Sequence, residues 1–202
     1  MRERRVGILA IQGDVDAHVR ALARLDAVGV PVLREKDLTG VDALVLPGGE
    51  STTITKGIER LGLWAPLRAF AASGRPLLGT CAGAIVLARE VENRPVPTLG
   101  VLDVVAVRNA YGTQVDSFVA VADPGSAPGL EGLRCVFIRA PWLREPGPDV
   151  EVLVRVDGRP VLVRQGPVLA ATFHPELGDD PRVHRLLLEP RSADASPEAA
   201  TG

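Results

Sequence analysis

The sequence predicts an α/β fold: one domain with a mostly parallel central sheet, helices on both faces and added β-hairpins. Three observations predict it. Short apolar runs alternate with helix-periodic segments through the first half of the chain. The runs stop at turns rich in glycine and proline. From about residue 101 the helical spacing gives way to short β-rich runs. Alternating strands and helices need right-handed crossovers, which cover a parallel sheet on both sides.

The elements follow in chain order. Arg5 to Ile11 is an apolar run ending at Gly13 and reads as a buried strand. Asp14 is placed to cap a helix in which Ala17, Ala21, Leu22, Leu25 and Val28 recur at helical spacing, with Gly29 closing it. Pro31-Val32-Leu33 reads as a second strand and Val41–Leu46 as a third, stopped by Pro47-Gly48-Gly49. Helices are expected over Ser51–Leu61 and Trp64–Ala72, a fourth strand over Pro76–Gly79, and a helix from Ala82 to Glu90. The β-rich runs beyond are Val101–Val107, Ser117–Val121, Cys135–Ile138, Val150–Val156, Pro160–Arg164 and Val168–Phe173. Asp123-Pro124-Gly125, Glu145-Pro146-Gly147-Pro148 and Asp157-Gly158 are the turns between them. Asp180-Pro181 opens a last helix through Leu188. Residues 1–190 read as the domain, and 191–202, small and polar, as a disordered tail.

Composition narrows the function. The 202 residues carry a net charge of −2 and only 3% aromatics, which argues against a basic nucleic-acid surface or a base-stacking platform. No apolar run approaches the ~20 residues that span a bilayer, and the N-terminus lacks a signal-peptide core, so a cytoplasmic location is expected. Two cysteines, Cys81 and Cys135, make neither a disulfide framework nor a four-thiolate metal site; no metal or cofactor is expected.

The sharpest motif is Gly79-Thr80-Cys81-Ala82-Gly83, where an apolar strand meets a helix. It has the form G-x-C-x-G, a thiol version of the nucleophile elbow. Such a turn lifts the side chain out at the carboxyl end of the sheet, where open α/β folds place ligands. A following helix turns its positive end to the sulfur and favours the thiolate. Of the three histidines, His18 and His184 lie in amphipathic helices and read as surface or packing residues. His174 ends a strand and sits in His174-Pro175-Glu176, so Glu176 is placed to orient its ring. Cys81, His174 and Glu176 are therefore candidate nucleophile, base and orienting acid. A second glycine motif, Pro47-Gly48-Gly49-Glu50-Ser51-Thr52, also opens a helix. The N–H groups of Gly49 and Ala82 are candidates for an oxyanion hole; a plain turn capped by Ser51 would also account for the motif.

Gly79-Thr80-Cys81-Ala82-Gly83 together with Phe173-His174-Pro175-Glu176 resembles the triad (class I) glutamine amidotransferases, whose fold is flavodoxin-like. Further segments resemble the glutaminase subunits of pyridoxal 5'-phosphate synthase: Ala10-Ile11-Gln12-Gly13, Leu46 to Thr53, Val107-Arg108-Asn109, Gln114 to Phe118 and Val136 to Pro141. The resemblance runs from about residue 5 to 189. It implies that Cys81 is the nucleophile with His174 and Glu176 as its relay. It implies that Gly49, Glu50, Ser51, Arg108, Ile138 and Arg139 contact L-glutamine, and that Gln12 faces a partner. That partner would be a (β/α)₈-barrel synthase subunit, twelve copies of each chain forming the complex and the ammonia released here feeding pyridoxal 5'-phosphate synthesis. The alternatives are a glutaminase of another synthase, a γ-glutamyl hydrolase, or a regulatory partner-binding subunit without activity.

Overall fold

The computed structural model describes residues 3–108 and 117–189. Asn109 and Gln114–Asp116 of the motifs above, and the expected tail 191–202, lie outside the described residues. The chain runs β1 (Arg4–Leu9), α1 (Val15–Ala23), β2 (Ala27–Val32), β3 (Ala43–Leu46), α2 (Ser51–Arg60), α3 (Trp64–Ala72), β4 (Leu77–Thr80) and α4 (Ala82–Leu87). It continues through β5 (Ala88–Glu92), β6 (Leu102–Val107), β7 (Ser117–Val121), β8 (Arg134–Ile138), β9 (Trp142–Arg144), β10 (Glu151–Val156), β11 (Arg159–Gln165), β12 (Val168–Ala171) and α5 (Arg182–Leu188).

Seven strands form the central sheet in the order β10-β11-β12-β4-β3-β1-β2. From β12 to β2 every pairing is parallel; β10, β11 and β12 are joined antiparallel. Side-chain alternation sends each strand into two cores. Leu44, Leu46, Leu77 and Ala170 face one side with Ile54, Ile58, Leu67 and Phe70 of α2 and α3. Ala43, Val45, Leu78 and Ala171 face the other with Leu22 of α1 and Val183 and Leu187 of α5. Both faces are thus covered, as the strand–helix alternation requires.

Several boundaries differ from expectation. The first helix stops at Ala23 rather than running to Gly29. Asp26 takes a positive φ of 55°, which turns the chain, and Ala27–Val32 pairs with β1. Leu25 and Val28 match the helical period only by chance, and Pro31 is tolerated because β2 is the sheet edge. The helix expected from Ala82 to Glu90 ends at Leu87, and the chain continues as β5. The returning chain takes the helix's last carbonyls: Leu99 N–H donates to Val86 O at 2.7 Å and Val101 N–H to Leu87 O at 3.1 Å. The later strands do not all join the main sheet. β5-β6-β9 form a three-stranded sheet and β7-β8 a ribbon, while β10, β11 and β12 join the central sheet. The turn between β10 and β11 is Asp157-Gly158, with φ of 50° and 73°, as a tight two-residue hairpin needs. β9, three residues long, is too short to leave a period in the sequence.

Candidate active site

Cys81 stands between β4 and α4 with φ 49° and ψ −107°, a conformation costly for any residue with a side chain. Its N–H donates to Ala171 O of β12 at 2.8 Å, so the neighbouring parallel strand holds the strained turn. The glycines flanking it are needed for close approach. A Cβ on Gly79 would fall 2.6 Å from the Gly83 carbonyl, and one on Gly83 would overlap Leu46 O. The elbow read from the sequence is therefore present. Cys81 is 6% exposed, and its Sγ lies 3.8 Å from Ile138 O.

His174 leaves the end of β12 and is anchored by its N–H, which donates to Val136 O of β8 at 2.8 Å. Its ring and the Cys81 side chain lie side by side against the bare backbone of Gly48, and its Nδ1 lies 2.8 Å from Glu176 Oε1. Glu176 is buried in the short 3₁₀ turn Pro175–Leu177. Burial alone would lower the His174 pKa. The neighbouring Cys81 side chain and the Glu176 carboxylate outweigh it and push the ring up to about 10, so it holds its proton at neutral pH. For Glu176 burial would raise the pKa, but the His174 hydrogen bond, with the neighbouring His174 ring, holds it below its ordinary value. Cys135, the other thiol, is fully buried and pushed up to about 12, chiefly by that burial and then by Asp180 against the opposing Arg182.

These groups open into a cavity of ≈ 250 Å³ lined by Gln12, Gly49, Glu50, Ser51, Ala82, Arg108, Ile138 and Arg139 as well as Cys81 and His174. That is the small end of ligand pockets, ~300–1,000 Å³. All the expected contact residues thus meet at one site. Ala82 is the first residue of α4, so its N–H has no intrahelical acceptor. Gly49 has φ 139° and lies against Gln12, whose Oε1 accepts from Glu50 N–H at 2.8 Å.

The cap of α2 differs from expectation. Glu50, not Ser51, caps it, accepting from Thr52 N–H at 3.1 Å and Thr53 N–H at 2.7 Å. Ser51 is the first helical residue and is buried. Desolvation would raise the Glu50 pKa, but the two backbone donors prevail and lower it. The guanidinium of Arg108 reaches across from β6 to the same carboxylate at 3.0 Å. Its other nitrogen donates to Arg94 O at 2.8 Å, so Arg108 is a fixed strut rather than a free surface arginine. Arg139 is exposed at the cavity rim with φ 44° and has no carboxylate partner among the described residues.

The model of the SNO glutamine amidotransferase family matches residues 8–192. The chain belongs to that family. This SNO-family chain is 54% identical to "Pyridoxal 5'-phosphate synthase subunit PdxT" of Acidothermus cellulolyticus over 200 residues, 95% of each chain. It is 53% identical to the protein of the same name from Parafrankia sp., over 92% of each. A solved structure, "Crystal structure of glutamine amidotransferase", superposes with a TM-score of 0.84 at 49% identity, covering 91% of this chain and 96% of that one.

Two parts of the SNO-family site were missed by sequence reasoning. Gly48 is one: a Cβ there would lie 2.5 Å from His174 Cε1 and 3.2 Å from Cys81 Cβ. Its bare backbone is the floor on which the imidazole sits, and the doubled glycine was the available signal. The other is the pair His18 and His184. Both are fully buried, and the ring of His18 lies behind Glu176. Helical periodicity places them on buried faces but carries no sign of what they touch.

Proposed function

We propose that the chain hydrolyses L-glutamine to L-glutamate and ammonia and delivers the ammonia to the synthase subunit of pyridoxal 5'-phosphate synthase. The observation that carries this reading is Cys81 on a strained elbow, beside a His174 that Glu176 holds from behind. Beside them is a small cavity bearing a carboxylate and two guanidinium groups. Free glutamine has an α-ammonium and an α-carboxylate to match those charges. Arg139 takes the carboxylate, since Arg108 is already held by Glu50, and Glu50 faces the ammonium. Gly49, Ser51 and Ile138 complete the wall.

In the reaction the Cys81 thiolate adds to the side-chain amide carbon, and the C=O electrons move to oxygen. The N–H groups of Gly49 and Ala82 stabilise that oxyanion. The His174 imidazolium gives its proton to the amide nitrogen, the C–N bond breaks, and ammonia leaves. A γ-glutamyl thioester remains on Cys81. Neutral His174 then takes a proton from water as the hydroxide adds to the thioester carbon, and collapse releases glutamate and the thiolate. Glu176 stabilises the imidazolium in both stages.

Ammonia released into water is protonated and loses its nucleophilicity, so the product is useful only when passed directly to a second site. The names of the relatives, each a subunit of pyridoxal 5'-phosphate synthase, support that synthase as the receiver. Twelve copies of each subunit, Gln12 at the contact, one domain over residues 1–190 and a cytoplasmic location belong to the same proposal. No helix among the described residues is long and apolar enough to cross a membrane. The test is glutamate release from glutamine with and without the purified synthase subunit. The reading expects strong stimulation by that subunit. Full activity without it would point to a free-standing hydrolase, and no activity in either condition would overturn the reading.

A further inference from the structure

Behind the Cys81–His174–Glu176 group the buried polar chain continues. His18 Nε2 from α1 faces Glu176 Oε2 at 3.6 Å, and His18 Nδ1 lies 3.0 Å from Nε2 of His184 on α5. Both histidines and the Glu176 side chain are almost completely excluded from water. At 3.6 Å the contact is too long for a formed hydrogen bond, and neither His18 Nε2 nor Glu176 Oε2 has another partner among the described residues. A buried carboxylate oxygen without a donor is costly, so this pair has reason to close.

The protons can be placed by elimination. Burial lowers the pKa of both histidines, that of His184 to about 3, so both are neutral at pH 7. His18 then carries one ring proton. With the proton on Nδ1, its Nε2 lone pair would face the Glu176 carboxylate. With the proton on Nε2, it donates to Oε2, and His184 Nε2–H donates to the bare Nδ1. Only the second arrangement is attractive at both contacts. The other charges facing His18 are the His174 imidazolium, which opposes Glu176 and is outweighed by it, and Asp14 at the start of its own helix, which acts in the same direction as Glu176.

We propose that His18 is a positioning residue for glutamine turnover: as the Nε2–H tautomer, fixed by His184, it holds the second oxygen of Glu176 while the first holds His174. The proposal rests on the glutaminase reading. Glu176 is otherwise bound to the site through one oxygen, and a carboxylate free to rotate would release the imidazole from its line to Cys81. At metal sites, outer groups that orient the ligating side chains are typically worth about 10- to 100-fold in activity, and a carboxylate that orients a catalytic imidazole acts in the same way.

The test combines ¹⁵N histidine NMR of the full chain with glutaminase kinetics in the complex with the synthase subunit. NMR is expected to show His18 neutral, protonated at Nε2 and bare at Nδ1. His18→Leu is expected to lower kcat by about 10- to 100-fold while KM stays within about twofold. His18→Gln, whose amide N–H can take the Nε2 position, is expected to restore most of it. Because His18→Leu can fail to fold, His184→Leu is measured alongside, with a smaller expected loss of kcat and a mixture of His18 tautomers. A proton on Nδ1, wild-type kcat in folded His18→Leu, or a His18→Gln variant as slow as His18→Leu would each overturn the proposal. A wild-type complex that releases no glutamate would instead overturn the glutaminase reading, with the tautomer still reporting the contact to Glu176.

Discussion

Nδ1 of His174 lies 2.8 Å from Oε1 of Glu176, two residues further along the chain. The short 3₁₀ turn begun by Pro175 folds the carboxylate back under the ring whose strand has just ended. One nitrogen of the ring is thus occupied by an anion, leaving the other to Cys81. This contact is local in sequence, whereas the contact to Cys81 requires β12 to pair beside β4.

The two cysteines are expected to react very differently. Cys81 opens into the cavity, while Cys135 is buried with its thiol pushed up to about 12. The thiolate is the reactive form. Limited treatment with iodoacetamide at neutral pH should alkylate Cys81 and leave Cys135 unmodified, as read by peptide mass spectrometry. Preferential labelling of Cys135 would contradict the assignment.

Gly48→Ala should damage activity without unfolding the chain. The added methyl falls 2.5 Å from His174 Cε1 and 3.1 Å from its Nδ1, so the imidazole must move. A displacement near 1 Å can cost about 100-fold in rate. A large drop in kcat with an unchanged melting temperature is expected from steady-state kinetics and thermal denaturation. Unchanged kcat would mean that the ring position is not critical.

Glu50 has two duties, so Glu50→Ala should show two effects. It removes the cap of α2, a loss of about 1 kcal/mol of stability measurable by denaturant titration. It also releases the Arg108 guanidinium from its 3.0 Å partner at the cavity wall. KM for glutamine should rise more than kcat falls. A variant with lowered stability and unaltered KM would leave Glu50 as a cap alone.

How much of this was legible in the sequence depends on distance along the chain. The elbow needs only five consecutive residues, and His174-Pro175-Glu176 only three, so both were readable directly. The parallel sheet followed from alternation, because a strand covered on both faces must be apolar throughout, as Ala43–Leu46 is. Helix ends were less legible: apolar residues at Leu25 and Val28 continue a helical period past the turn at Asp26. The Arg108–Glu50 pair, the Gly48 floor and the His184–His18–Glu176 chain are contacts between elements far apart in sequence. Charge and periodicity do not specify such partners.

Acid should destabilise the fold well above the carboxylate range. The folded-state pKa of His184 is about 3, below the ordinary 6.5. Between those values the unfolded chain binds a proton that the folded chain does not, so stability falls as pH drops through 6.5. His18 is shifted in the same direction and adds to the effect. Each such proton contributes up to about 1.4 kcal/mol per pH unit. Melting temperatures from pH 7 to pH 5 should decline for the wild type and decline less steeply for His184→Leu. Equal slopes would mean that His184 is not held neutral.

The most direct test of the central claim is glutamate release by Cys81→Ala compared with the wild type, each saturated with the synthase subunit. The account predicts a loss of at least about 10³-fold, with binding to the synthase retained. Turnover at the wild-type rate would remove the Cys81 thioester from the reaction and contradict the account.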